Sequence, residues 1–235
     1  EYIKILFDNT KVLPLEICEK IVYFIYTYKF KDHVELKKAV DNYPNNIHKY
    51  GIISDWDVSN VINMEKMFMD NSFNGDISKW DVSNVKNMRY MLSRSGFNGD
   101  ISSWDVSNVT NMECLFYGSI FNRDISRWDV SKVNNMERMF WYSSFNEDIS
   151  GWNVSNVTNM ALMLKHSKFN GDISDWNVLN VINMFSMFEN SKFNGDISKW
   201  DVSNVTNMAY MLKHSKFNGD ISKWNVLNVI NMFSM

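Results

Sequence analysis

The chain has 235 residues, a net charge of -3 and a pI near 5.8, with 45% hydrophobic and 15% aromatic residues, two prolines and two cysteines. That balance argues against a general basic grip on nucleic acid, and the lack of like-charge blocks leaves a chain composed to fold throughout. Cys18 and Cys114 share no paired spacing, so neither a disulfide framework nor a zinc site is predicted, and a reducing compartment is favoured over secretion.

The leader comes first and runs to about residue 50. Pro14 suits the first turn of a helix, and Ile17, Ile21, Phe24, Ile25 and Tyr28 follow at helical spacing. The apolar stretch at residues 21–28 is too short to span a bilayer. No signal peptide is evident, although the chain begins at Glu1 and a targeting segment could precede it. A second helix is predicted over residues 34–40 and a last turn over residues 45–51. Residues 1–50 are thus expected to form a helical N-terminal capping region over the first repeat. Within it, Leu13-Pro14-Leu15-Glu16-Ile17-Cys18-Glu19-Lys20-Ile21 resembles the opening helix of an F-box, which implies docking onto a cullin ubiquitin ligase. Only the first part of that motif is present.

Residues 51–235 are one unit repeated, marked by tryptophans 24 residues apart from Trp56 and Trp80 to Trp200 and Trp224. A fixed period of this length predicts a solenoid. In the second unit Ile77, Trp80 and Val82 are expected on a short strand. Ser83 or Asn84 would then cap a short helix or 3₁₀ segment carrying Val85, Met88 and Met91, and Asn98, Gly99 and Asp100 would make the turn back. The predicted fold is therefore a repeat solenoid of α/β, leucine-rich-repeat-like class. It has eight 24-residue strand-turn-short-helix units, the eighth truncated at Met235, behind a helical N-terminal cap. One unit alone buries too little to offset its ordering entropy, so the units must stack. Strands stack about 4.8 Å apart and helices about 8–10 Å, so the array should arc with the tryptophan-bearing strands inside.

The I-x-x-W-x-V core resembles the L-x-x-L-x-L of leucine-rich repeats. The whole unit, with D-I-S-x-W-D-V-S-N-V-x-N-M followed by M-F and F-N, is similar to the BspA-like tryptophan-containing repeat family over residues 51–235. Residues 35–56 also resemble the lead-in such arrays carry. Members occur at bacterial cell surfaces and in large DNA viruses, and the resemblance implies binding to other proteins. One departure is that Val61 and Val85 stand where a leucine-rich repeat would place its ladder asparagine; here the recurring asparagine, Asn63 or Asn87, comes two residues later.

No chemistry-bearing constellation emerges. The column of Asp76, Asp100 and their equivalents offers one carboxylate per unit with an Asn two residues before it, which suits a turn and supplies too few oxygens for calcium. His166 and His214 are copies, because residues 157–187 recur at 205–235 with two changes. The repeated serines lack the unique neighbourhood a nucleophile needs, and the methionine columns beginning at Met64 and Met67 fall on a core face. No catalytic residue, metal or cofactor is predicted, and the chain is expected not to be an enzyme.

Function should then sit where the pattern breaks. Lys79, Asp81, Asp105, Arg127 and Asp129 flank the tryptophans on the acidic half, where residues 51–151 hold 9 Lys/Arg against 14 Asp/Glu. Tyr117, Trp141 and Tyr142 stand at non-core positions of adjacent units, an aromatic grouping of the kind that anchors interfaces. Lys165, Lys168, Lys192, Lys213 and Lys216 form a separate basic edge. The expectation is a non-enzymatic protein-binding or structural scaffold whose partner is a protein, not nucleic acid, with no membrane span. Two alternatives stand beside it: a substrate receptor of a cullin ligase, and an array that self-associates end to end through its uncapped last repeat.

Overall fold

A computed structural model describes residues 27–235. The F-box-like segment and the helix expected after Pro14 lie outside the described residues. The helix expected at 34–40 is present as α1, His33–Asp41, where Asp32 accepts a hydrogen bond from Glu35 N at 2.9 Å and Leu36, Ala39 and Val40 are buried. A single turn, α2, spans Ile47–Tyr50. The leader joins the first unit directly: Phe30 N donates to Asp57 O (2.9 Å) and Asp57 N donates to Tyr28 O (3.0 Å), while Phe30 and Tyr50 pack on Trp56.

The α/β expectation is overturned. Among the described residues there is no strand and no sheet, and α1 and α2, both in the leader, are the only α-helices. The units stack instead through turns. Counting each tryptophan as position one, the segment from position 9 to position 16 is a ribbon of overlapping turns. In the first unit Met67 N, Met69 N and Asn71 N each donate three residues back, to Met64 O, Lys66 O and Phe68 O, at 3.2–3.3 Å. The N–H groups between them donate to the following unit: Met64 to Asn87 O, Lys66 to Arg89 O, Phe68 to Met91 O and Asp70 to Ser93 O, at 2.8–3.0 Å. An α-helix sends every N–H four residues back, so a segment that gives half of them to its neighbour cannot be one. The backbone enforces this: positions 11 and 15 have positive φ, at Lys66 (57°) and Asp70 (56°) and at their equivalents down the array. Position 11 is the third residue of a turn whose geometry requires positive φ there.

The Ile-x-x-Trp-x-Val stretch is also turn rather than strand. Trp80 N donates to Ile77 O (3.1 Å) and Val85 N to Val82 O (2.9 Å). Its side chains still point inward, since Ile101, Trp104, Val106, Val109, Met112, Phe116 and Phe121 of the third unit are all buried. From Trp80 onward each ladder indole N–H reaches the preceding unit, Trp80 Nε1 to Ile53 O at 2.8 Å and Trp152 Nε1 to Ile125 O at 3.1 Å, so the largest core residue also fixes register.

Three asparagine columns add rungs. Asn63 at position 8 caps Glu65 N (2.9 Å) and accepts from Asn87 Nδ2 (3.1 Å); Asn84 at position 5 donates to Ser59 O; Asn74 at position 19 accepts from Asn98 N (2.8 Å). Parallel bridges join Asn63 to Asn87 and each later pair through Asn231.

Equivalent rings report how far one unit is displaced from the next. Trp176 and Trp200 are 6.5 Å apart and 3° from parallel, and the phenylalanine column from Phe73 to Phe217 repeats at 6.3–6.5 Å. Phe116 and Phe140, on the turn ribbon, are 5.6 Å apart, and the bridged backbone itself should repeat at about 4.8 Å. The array is tighter at the ribbon than at the tryptophan and phenylalanine columns, which repeat alike. The curve therefore has the ribbon inside, the reverse of the arrangement expected from strands and helices.

Candidate functional site

On the inner ribbon, side chains at positions 10, 11, 14 and 15 of successive units lie beside one another, and the sequence varies most there. Near its start, Arg89 bridges Glu65 (3.3 Å) and Glu113 (2.9 Å), an interaction that holds its guanidinium protonated well above the ordinary value. Beside it, burial pushes the Cys114 thiol up to about 11, against a hydrogen bond with Tyr90 that favours the thiolate. That environment belongs to an inert core thiol.

Units three and four carry the tyrosines and tryptophan of positions 14 and 15. Tyr117 and Trp141, both at position 14, have ring centroids 5.0 Å apart; Trp141 and Tyr142 are 5.7 Å apart; and Tyr142 lies flat on His166 at 4.4 Å and 5°. Arg138 and Lys165 sit over the indole at 5.6 and 5.9 Å. Arg138 pairs with Glu137 and Lys165 with Glu189, the latter at 2.7 Å. Burial, and secondarily Lys165, hold His166 below the ordinary histidine value. Within this ridge Tyr142 is the outermost ring, 54% exposed, whereas Trp141 is half-buried and its Nε1–H has no hydrogen-bond partner.

Of the residues singled out by sequence, Tyr117, Trp141 and Tyr142 are brought together. Lys79, Asp81, Asp105, Arg127 and Asp129 are exposed but stand at positions 24 and 2, about half a coil from the ridge. Asp81, Asp105 and Asp129 each accept a hydrogen bond from the serine N–H two residues on, at 3.0 Å, so each has one carboxylate oxygen engaged in a turn. His166, Arg138 and Lys165 complete the ridge; the first two were missed from sequence, and Lys165 was set in the separate basic edge. Their shared columns, positions 11, 14 and 15, were the available signal.

The position-21 aspartates also serve turns, as Asp100 does by accepting from Ser102 N at 2.9 Å. Among the described residues no three His, Cys, Asp or Glu side chains converge as metal ligands, and no helix is long and apolar enough to cross a membrane. A family model described as Mycoplasma protein of unknown function, DUF285, matches residues 34–144, 119–213 and 141–235. Comparison with curated proteins and with solved structures gives no match.

Proposed function

Since the chain belongs to the DUF285 family of Mycoplasma-type proteins, whose function is unknown, we propose from its own surface that it is a non-enzymatic scaffold binding a protein partner through the Tyr117–Trp141–Tyr142 ridge. The observation that carries this reading is the run of stacked rings ending in exposed Tyr142, at positions that hold Asp70, Arg94, Gly118, Asn190 and His214 in other units. A core has no use for an aromatic residue at such a position, while interfaces concentrate binding energy in Tyr, Trp and Arg. The ion pairs around the indole keep the cations in place without leaving the ridge strongly charged.

The test places a photo-crosslinking residue at Tyr142 and, in a separate chain, at Arg127. The partner should form adducts from 142 and not from 127. Tyr142→Ala should weaken that partner's affinity by about tenfold or more, with the circular dichroism melt unchanged because the ring is not core. Adducts from 127 alone, or unchanged affinity, would remove the ridge from the interface.

A further inference from the structure

The basic edge of units five to seven is not absorbed by the ridge. Lys165 is committed to Glu189, which also feels the charge of Lys213. Lys168, Lys192 and Lys216 occupy position 17 of three consecutive units, all exposed, and none forms an ion pair among the described residues. The nearest acidic column along the chain, Asp172, Asp196 and Asp220, has one oxygen per carboxylate held by a serine N–H, and the lysines it feels are Lys199 and Lys223 at position 24. Three ammonium groups thus form an uncompensated row on a chain whose net charge is -3.

The base of that row is fixed by backbone. Lys192 N donates to Ser167 O (3.4 Å) and Lys216 N to Ser191 O (3.3 Å). One residue on, Phe169, Phe193 and Phe217 stack at 6.5 and 6.4 Å with planes within 5°, so the units that carry the lysines repeat at about that distance beside the row. An extended polypeptide rises about 3.2–3.4 Å per residue with alternate side chains on one face, so its every-second side chains recur at about 6.4–6.8 Å. A helical i, i+4 row rises only about 6.0 Å per step and rotates by about 40° each time, which carries its third side chain away from a straight row.

We infer that Lys168, Lys192 and Lys216 dock an extended acidic segment of a protein partner that carries carboxylates at alternate positions. This rests on the reading that the array binds a protein, but its contact surface is distinct from the ridge. Exposed ion pairs are individually weak, at most about fivefold each, so three in register should give about a tenfold preference, diminished by salt.

The experiment is fluorescence anisotropy on the full chain with labelled synthetic peptides. One has glutamates at three alternate positions, the second has the same composition with the glutamates consecutive, and a third sets them at i, i+4 spacing in a helical host; a single-stranded oligonucleotide is the fourth probe. The alternating peptide should bind about tenfold more tightly than either other peptide, and a K168Q/K192Q/K216Q chain should lose that preference. A K79Q/K199Q/K223Q chain, with the same change in net charge, should keep it. Equal affinity for the peptides, a preference that survives in the first variant, or tighter binding of the oligonucleotide would overturn the inference. In those cases the Tyr142 crosslinking result would still decide the ridge on its own.

Discussion

Position 11 shows how much one dihedral angle decides. Lys66, Tyr90, Arg138 and Leu162 hold positive φ without being glycine, which for an L-residue costs about 1–2 kcal/mol. The inter-unit hydrogen bonds from those same N–H groups offset that strain. Lys66 is largely exposed and its ion pair with Glu65 is loose, at 3.7 Å, so little else masks the effect. Lys66→Gly should therefore stabilise the fold slightly, by up to about 1 kcal/mol, and Lys66→Val should destabilise it by about 1–2 kcal/mol, both read from urea midpoints. Identical midpoints for the two would show that the position carries no strain. The same angle explains why the ribbon was not legible in the sequence. Positive φ is ordinarily announced by glycine, and among the ribbon's positive-φ residues only Gly118 is one. Trp141 stood out at a non-core position, but His166, which stacks on the neighbouring Tyr142, looked like a mere duplicate of His214. The stack exists because Tyr142 precedes His166 in its column, whereas Asn190 precedes His214.

At the scale of the element, the buried set was legible and the secondary structure was not. Val85, Met88 and Met91 are buried as their spacing implied. A succession of turns and an α-helix bring side chains back to one face at nearly the same interval, so periodicity could not separate them. What differs is the destination of each N–H, and that lies in the neighbouring unit, which a single-unit pattern does not reveal. The indole rungs belong to this level as well. Trp152→Phe keeps an aromatic ring but deletes the bond to Ile125 O, leaving that carbonyl only its bond from Trp128 N, and opens a small cavity. We expect a loss of about 2–3 kcal/mol, checked by denaturation and by faster amide exchange confined to units four and five. A uniform loss of protection through the array would instead mean that the units do not act as neighbours.

For the molecule as a whole, small repeated terms add. At position 21, Asp76, Asp100, Asp124, Asp172, Asp196 and Asp220 lie below their ordinary value of 3.8 because each accepts a hydrogen bond from a serine N–H. A carboxylate with a depressed folded value stabilises fully above its unfolded value, and that stability is lost as pH falls through the folded one. The array should therefore hold a constant urea midpoint above about pH 5 and lose stability steeply below about pH 4. Replacing these aspartates by asparagine should flatten the profile, since Asn153 already makes the same bond to Ser155 N without a charge, at 3.1 Å. A profile unchanged by the substitution would assign the acid sensitivity elsewhere.

The constant reach of the rungs has one further consequence. Almost every bond that fixes register spans 22 to 27 residues, whatever side chain the ribbon displays. Segments 157–187 and 205–235 accordingly serve interchangeably, although Leu162 in one is Tyr210 in the other and Asp175 is Lys223. Units can thus be copied, swapped or reordered like tiles cut to one gauge, and each rearrangement alters the displayed face while the joints stay the same.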